Sequence, residues 1–185
     1  MLSAAALCSL PLLGLPFGIA DATTAQPAKP AAATVVYYDN EAGSAWSAAV
    51  GTAVANWNSA LHNVQFAAGD SSDSTVTLEA DSGWPETETD QPGSGTVYLG
   101  EEAVSEGYDR TRITAHELGH ILGLPDNYDG DCSILMSGHS AGTSCTNAHP
   151  GPDEVSQVDQ IFAGGGSVHT RATAVRVYWD RSSTG

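Results

Sequence analysis

Basic residues are scarce in this chain. Between Thr34 and Gly166 the only ones are Arg110 and Arg112, and the single lysine, Lys29, lies ahead of that stretch. Against 6 basic residues stand 22 acidic ones, a formal net charge of -16 over 185 positions. So acidic a body is repelled by phosphate backbones, which argues against nucleic acid as a partner. Charged residues of either sign make up only 15%, against about 25% in an average domain, so the surface leans on Ser, Thr, Asn, Gln and Gly.

Long apolar runs are equally rare. The one present, Leu2 to Ala20, is broken by Pro11 and Pro16, which argues against a stable spanning helix. With small residues at Ala20 and Ala22, it has the pattern of a secretory signal peptide over residues 1–22, and no membrane segment is expected after its removal. No Lys or Arg precedes the run, a departure from that pattern. Cys8 would suggest a lipid-anchored cysteine, but Leu7 stands where such sites want a small residue. Residues 23–33, rich in Ala, Thr and Pro, form a linker or propeptide remnant by composition.

Cysteine is nearly absent too. Loss of Cys8 with the leader leaves Cys132 and Cys145, an even pair that fits a secreted protein in an oxidising environment. Two free buried thiols are the alternative.

The rest, 41% hydrophobic, suffices for one α+β domain with a proper core. Strands are expected at Thr34–Tyr38, Val64–Phe66, Ser74–Ala80 and Thr96–Leu99, the last near a sheet edge where an extended peptide could pair. Trp46, Ala49, Val50, Ala53, Val54, Trp57 and Leu61 repeat with helical period, predicting a core-packed helix over Ser44–Leu61 with Ser44 as N-cap. Gly83 to Gly95, acidic and holding Pro85 and Pro92, predicts an irregular loop. A last helix should start at Pro152-Asp153 and stop at the glycines 164–166. Residues 167–185, with Arg171, Arg176 and Arg181, break from the acidic body. Their role is open: Val175–Trp179 adds a strand, or the tail is unstructured or trimmed.

Chemistry concentrates in Thr114-Ala-His-Glu-Leu-Gly-His-Ile-Leu-Gly-Leu-Pro-Asp126. On a helix, His116 and His120 lie one turn apart on one face and can share a metal ion, with Glu117 bordering that face. Gly123 suits the left-handed residue that ends a helix, and Pro125 stops the chain from continuing helically. The turn can swing Asp126 back as third ligand. Three protein ligands plus a water make an open, catalytic zinc site. The plain alternative is a polar face on an ordinary amphipathic helix. His62, His139, His149 and His169 have the setting of exposed loop histidines.

That motif, with Met136 ten residues beyond Asp126, resembles the metzincin metalloproteases. Most metzincins carry histidine where this chain has Asp126. The aspartate form, with Tyr128, Cys132-Ser-Ile-Leu-Met136-Ser-Gly138 and Ser144-Cys145-Thr-Asn147, is similar to the snapalysin family of small secreted bacterial neutral zinc proteases. The likeness spans Thr34 to Ala163, including Tyr37-Tyr38-Asp39 and Trp57-Asn58, but not the tail.

The resemblance implies a metzincin-like catalytic domain over residues 34–166: a small twisted mixed sheet, an N-terminal helix, an active-site helix and a C-terminal helix. It implies His116, His120 and Asp126 as zinc ligands, Glu117 as catalytic base and Tyr128 as a donor near the metal. Met136 would form the Met-turn, and Cys132 would pair with Cys145. Asp109 and Thr111 match positions associated with calcium, although an aspartate ahead of a helix is also a common N-cap, and two oxygens are few for that ion. The implied activity is a secreted, monomeric zinc endopeptidase acting on proteins or peptides, with a preference for an aromatic or large apolar residue after the scissile bond. A proteinaceous inhibitor is a second partner class. The competing reading is a secreted zinc-binding module without turnover, or a proenzyme trapped by its own segments. Glu117 favours the enzyme, since a pure binding site needs no base.

Overall fold

The β-branched and aromatic run at Thr34 opens the first strand, β1 (Thr34–Asn40). In the computed structural model, residues 32–164 and 176–179 are described, all within one compact unit. The expected signal peptide, nearly all of the linker and most of the tail lie outside the described residues. After β1 come α1 (Ser44–Ala60), β2 (Val64–Ala68), β3 (Val76–Asp81), β4 (Glu86–Gln91) and β5 (Ser94–Gly100). Then follow α2 (Glu101–Ser105), α3 (Arg110–Ile121), a 3-10 segment (Leu135–Ala141), α4 (Pro152–Ile161) and β6 (Arg176–Trp179). The sheet order is β2-β1-β3-β5-β4-β6. Neighbours from β2 to β5 pair parallel, whereas β4 runs antiparallel to both β5 and β6. This is the α+β, mixed-sheet architecture expected.

Two expectations about the sheet are corrected. The stretch Gly83–Gly95 is not a loop throughout, because Glu86–Gln91 forms β4. Thr96–Leu99 is therefore not near an edge: its strand, β5, lies between β3 and β4. β4 escapes a hydrophobic-alternation search because its inward residues are Thr87 and Thr89, both buried.

The periodic residues of α1 do bury as expected: Trp46, Ala49, Val50, Ala53 and Trp57 all face the core. Ser44 is not the N-cap. Gly43 holds that position at φ 77°, where a side chain is disfavoured, and Ser44 is the first helical residue. α1 packs on α3, and Trp57 Nε1 donates to Ala115 O at 2.9 Å inside the interface. A buried indole N–H needs such a partner, so this bond also fixes the register of the two helices. At the sheet's other margin, Asn58 bonds the backbone of Phe66 in both directions, covering part of the free edge of β2.

Asp159 on α4 clamps the start of β2. Its carboxylate accepts from the backbone N–H groups of His62 and Asn63 at 3.0 and 2.9 Å, with His62 Nδ1 a further 3.0 Å away. His62 is exposed, as expected of a loop histidine, but paired. Burial works to raise the Asp159 pKa, yet the Asn63 and His62 bonds outweigh it and hold the carboxyl below its ordinary value. A depressed folded pKa stabilises the fold above the unfolded value, and that stability is lost as pH falls through the folded one. Asp159→Asn should therefore cost about 1–3 kcal/mol at pH 7, as expected for hydrogen bonds to a charged acceptor. Urea unfolding at stepped pH should show the deficit starting to shrink below about pH 4, where the unfolded carboxyl takes up its proton, and vanishing once the folded carboxyl, held lower, is protonated too.

Candidate metal centre

The metal motif lies on α3, which starts at Arg110. Asp109 is the N-cap, its Oδ1 accepting from Arg112 N at 2.9 Å. At the other end Gly123 takes φ 95°, with Gly123 N on His120 O at 2.9 Å and Leu124 N on Gly119 O at 3.0 Å. Those two bonds make the paired-carbonyl stop that a left-handed glycine permits. The chain then reverses and returns Asp126 to the face holding His116 and His120.

Three ligand atoms converge. His116 Nε2 and His120 Nε2 are 3.1 Å apart, and Asp126 Oδ1 lies 3.2 and 3.3 Å from them. In a tetrahedral site, atoms about 2.0 Å from a zinc ion are about 3.3 Å from one another, so the triangle fits that ion. Among the described residues this is the one cluster of three or more His, Cys, Asp or Glu side chains close enough to share a metal.

Each imidazole is aimed from behind. His116 Nδ1 lies 3.1 Å from Leu135 O, and His120 Nδ1 lies 2.9 Å from Leu124 O. A carbonyl can only accept, so Nδ1 carries the proton and the Nε2 lone pair points at the site. Burial depresses the His120 pKa and favours the neutral ring that ligates metal. For Asp126 burial alone would raise the pKa, but the His116 and His120 contacts dominate and hold it ionised, far below the usual range.

Glu117 is buried beside its histidine neighbour. Thr87 Oγ1, reaching in from β4, donates to its carboxylate at 2.7 Å. The outer side of the site is the segment from Pro125 to Tyr128, tied to the 3-10 segment by Asn127 N on Met136 O at 2.7 Å. Met136 is buried and lies against Gly119, where an added Cβ would sit 2.5 Å from its Sδ. Only glycine lets Met136 approach α3 that closely. Tyr128 is exposed, its ring 5.0 Å from that of His139, which also meets Trp84 edge-on at 6.3 Å. His149 is exposed. Cys132 and Cys145 are joined as a disulfide across the loop that contains Met136. A cavity of about 600 Å³ opens beside Asp126, lined in part by Leu124, Ile134, Met136 and Gln157.

Two buried charged groups brace this turn, and motif reading did not find them. Arg112 donates to the carbonyls of Asn147, Ile134 and Leu135 and to Ser137 Oγ. Glu154 accepts from the backbone N–H of Met136 at 2.7 Å, Leu135 at 3.2 Å and Gly151 at 2.5 Å. The one available signal was positional: Glu154 is the third residue of a Pro-started helix, where a glutamate commonly reaches back to a capping N–H. Thr87 gave no signal, since β4 itself was unrecognised. Thr111, half-buried on α3, and Asp109 belong to no such ligand cluster among the described residues.

With this geometry in hand, comparison with known proteins is decisive. Residues 32–165 match the Streptomyces extracellular neutral proteinase (M7) family. The chain belongs to this family. It is 45% identical over 149 residues to the extracellular small neutral protease of Streptomyces sp. (strain C5), a span of 80% of this chain and 64% of that protein. With the protein of the same name from Streptomyces caespitosus it shares 42% over 130 residues, 70% of this chain and 98% of the relative. The Streptomyces coelicolor counterpart is 39% identical over 147 residues, 80% of this chain and 67% of the relative. The family match stops at residue 165, so β6 lies beyond it.

The Glu154 brace can be tested directly. In Glu154→Gln one carboxylate oxygen becomes an amide that faces backbone donors. Unfolding free energy should fall by about 2–3 kcal/mol, the scale of a buried charged hydrogen bond left unmade. With zinc added, chelator competition should show weaker retention in the variant, because Leu135 O no longer holds His116 as firmly.

Proposed function

We propose that the chain is a secreted zinc endopeptidase, in keeping with its family and the extracellular location in its relatives' names. Among the described residues no helix is long and apolar enough to cross a membrane. The observation that carries the reading is the near-equilateral triangle of His116, His120 and Asp126 atoms, with Glu117 next to His116 in the same helix and buried. Zinc held there supplies a Lewis acid and makes water acidic enough to be deprotonated near neutral pH.

Glu117 accepts the proton of the attacking water and passes it to the departing amine, as general base and then general acid. Its burial sharpens the proton transfer, and the Thr87 bond holds one oxygen still. Tyr128 is the donor for the oxyanion that forms at the scissile carbonyl. Tyr128 is exposed, as a donor to substrate must be. An extended peptide would align along the outer edge of β4 by main-chain hydrogen bonds. The cavity beside Asp126 has room for an aromatic or large apolar side chain, consistent with the preference the resemblance implies after the scissile bond. For calcium at Asp109 and Thr111 only the family likeness speaks, and the cap bond to Arg112 accounts for that aspartate without an ion. A zinc-binding module without turnover would have no use for a buried carboxylate at position 117.

Cleavage of casein by the wild type should be abolished by a zinc chelator and restored by added zinc. Glu117→Gln should lose roughly 10²–10⁴-fold in kcat, the usual span of general-base catalysis. A wild type without chelator-sensitive cleavage ends the enzyme reading. Tyr128→Phe should retain zinc but lose roughly 10²-fold in kcat, the scale of one lost oxyanion donor. Full kcat in that variant, with zinc content unchanged, rules the tyrosine out.

A further inference from the structure

Of the two backbone edges of β4, one pairs with β5 and the other with β6. In the second pairing Glu86, Thr87, Glu88 and Thr89 lie opposite Trp179, Tyr178, Val177 and Arg176, antiparallel. This pairing includes Thr87, whose hydroxyl touches the Glu117 carboxylate. The tail therefore pairs with the edge that runs beside the site. An edge accepts one strand at a time. A peptide substrate, whose variable side chains cannot be relied on, has mainly its main chain to offer there.

Three more observations bear on the occupant. The paired segment lies outside residues 32–165, the stretch shared with the family. Residues 167–185 carry Arg171, Arg176 and Arg181, half of the 6 basic residues, and their described strand Arg176–Trp179 pairs with a strand whose sequence includes Glu86, Glu88 and Asp90. Glu117 is 1% exposed in the structure that has the tail strand in place.

We propose that Arg176–Trp179 is an intramolecular stand-in for the peptide substrate, holding the docking edge of β4 until it is released. The proposal rests on the endopeptidase reading above. Residues 165–175 tether the strand, and a short tether gives an effective concentration of about a millimolar. A strand of four residues, weak by itself, then competes with substrate. Such competition raises KM and leaves kcat unchanged, because saturating substrate displaces the tail.

The test uses the zinc-loaded full chain and its Val177→Pro/Tyr178→Pro variant. Proline lacks an N–H, and successive residues of an antiparallel strand alternately direct theirs to the partner, so this pair must delete a ladder position. On a short internally quenched peptide, the variant's KM should fall roughly three- to tenfold at unchanged kcat, as expected on removing a weak tethered competitor. A synthetic peptide of residues 174–181 should then inhibit the variant competitively. Amide exchange over Glu86–Thr89 should accelerate in the variant, whatever the catalytic rates. A merely structural tail would instead change kcat or Tm. A chelator-sensitive wild type whose KM the variant leaves unchanged, or raises, overturns the role of the tail alone. Absence of chelator-sensitive cleavage in both forms overturns the endopeptidase reading and this inference with it.

Discussion

Two backbone carbonyls set the chemistry of this molecule. Leu124 O and Leu135 O receive the Nδ1 protons of His120 and His116, and so turn both Nε2 lone pairs toward Asp126. Each carbonyl has its own chain of causes. Leu124 is placed by the left-handed Gly123, whose turn also returns Asp126. Leu135 is placed by opposite charges: Glu154 grips its N–H from α4, and Arg112 reaches its carbonyl from α3. A ligand set built this way needs no long-range adjustment, since its aim is fixed by peptide groups that the fold already holds.

The scarcity of basic residues acquires a meaning here. Both arginines of the acidic body serve the active-site helix. Arg110 makes a two-pronged bond to Glu101 on α2, at 2.7 and 2.9 Å, and lies 4.6 Å over the ring of Trp46 on α1. Arg112 turns the other way, into the carbonyls of the Met136 turn. Their roles depend on guanidinium shape. A planar fork spans several acceptors at fixed angles, which a lysine ammonium does not. In a chain so negatively charged, the two cations anchor α3 to its neighbours on either side.

What could be read from the residues follows from how local each determinant is. α1 and α4 announced themselves through periodicity and a starting proline, and the turn after α3 through Gly123 and Pro125, all within a few positions in sequence. The cluster of His116, His120 and Asp126 was legible for the same reason, because one helix and one turn hold it. Thr87 and Arg112 were not, since each acts on groups 22 to 35 positions away with nothing in its own neighbourhood to mark it, and the helix-start position of Glu154 did not point to Leu135 and Met136. Ser44 was misjudged as a cap because propensity favours serine, whereas the chain needed the φ 77° that Gly43 supplies. α2, five residues opening Glu-Glu, is too short for a period to show.

β4 is the instructive failure. Its composition, Glu-Thr-Glu-Thr-Asp-Gln between two prolines, looks like solvated loop. Hydrophobicity is the wrong guide for it, because its inward row has work other than filling the core: Thr87 must hydrogen-bond a buried carboxylate, and a valine of the same shape would leave that oxygen short of a donor. Its other asset is the backbone edge, which carries no side-chain signature at all. Pairing with β5 and the bond from Gly93 N to Ile121 O, at 2.7 Å, seat the strand against the end of α3. One polar strand thus steadies the buried Glu117 carboxylate through Thr87 and offers its outer amides to another strand. Whatever occupies that edge lies beside Glu117, which is why a tail strand there bears on access to the site and not on packing alone.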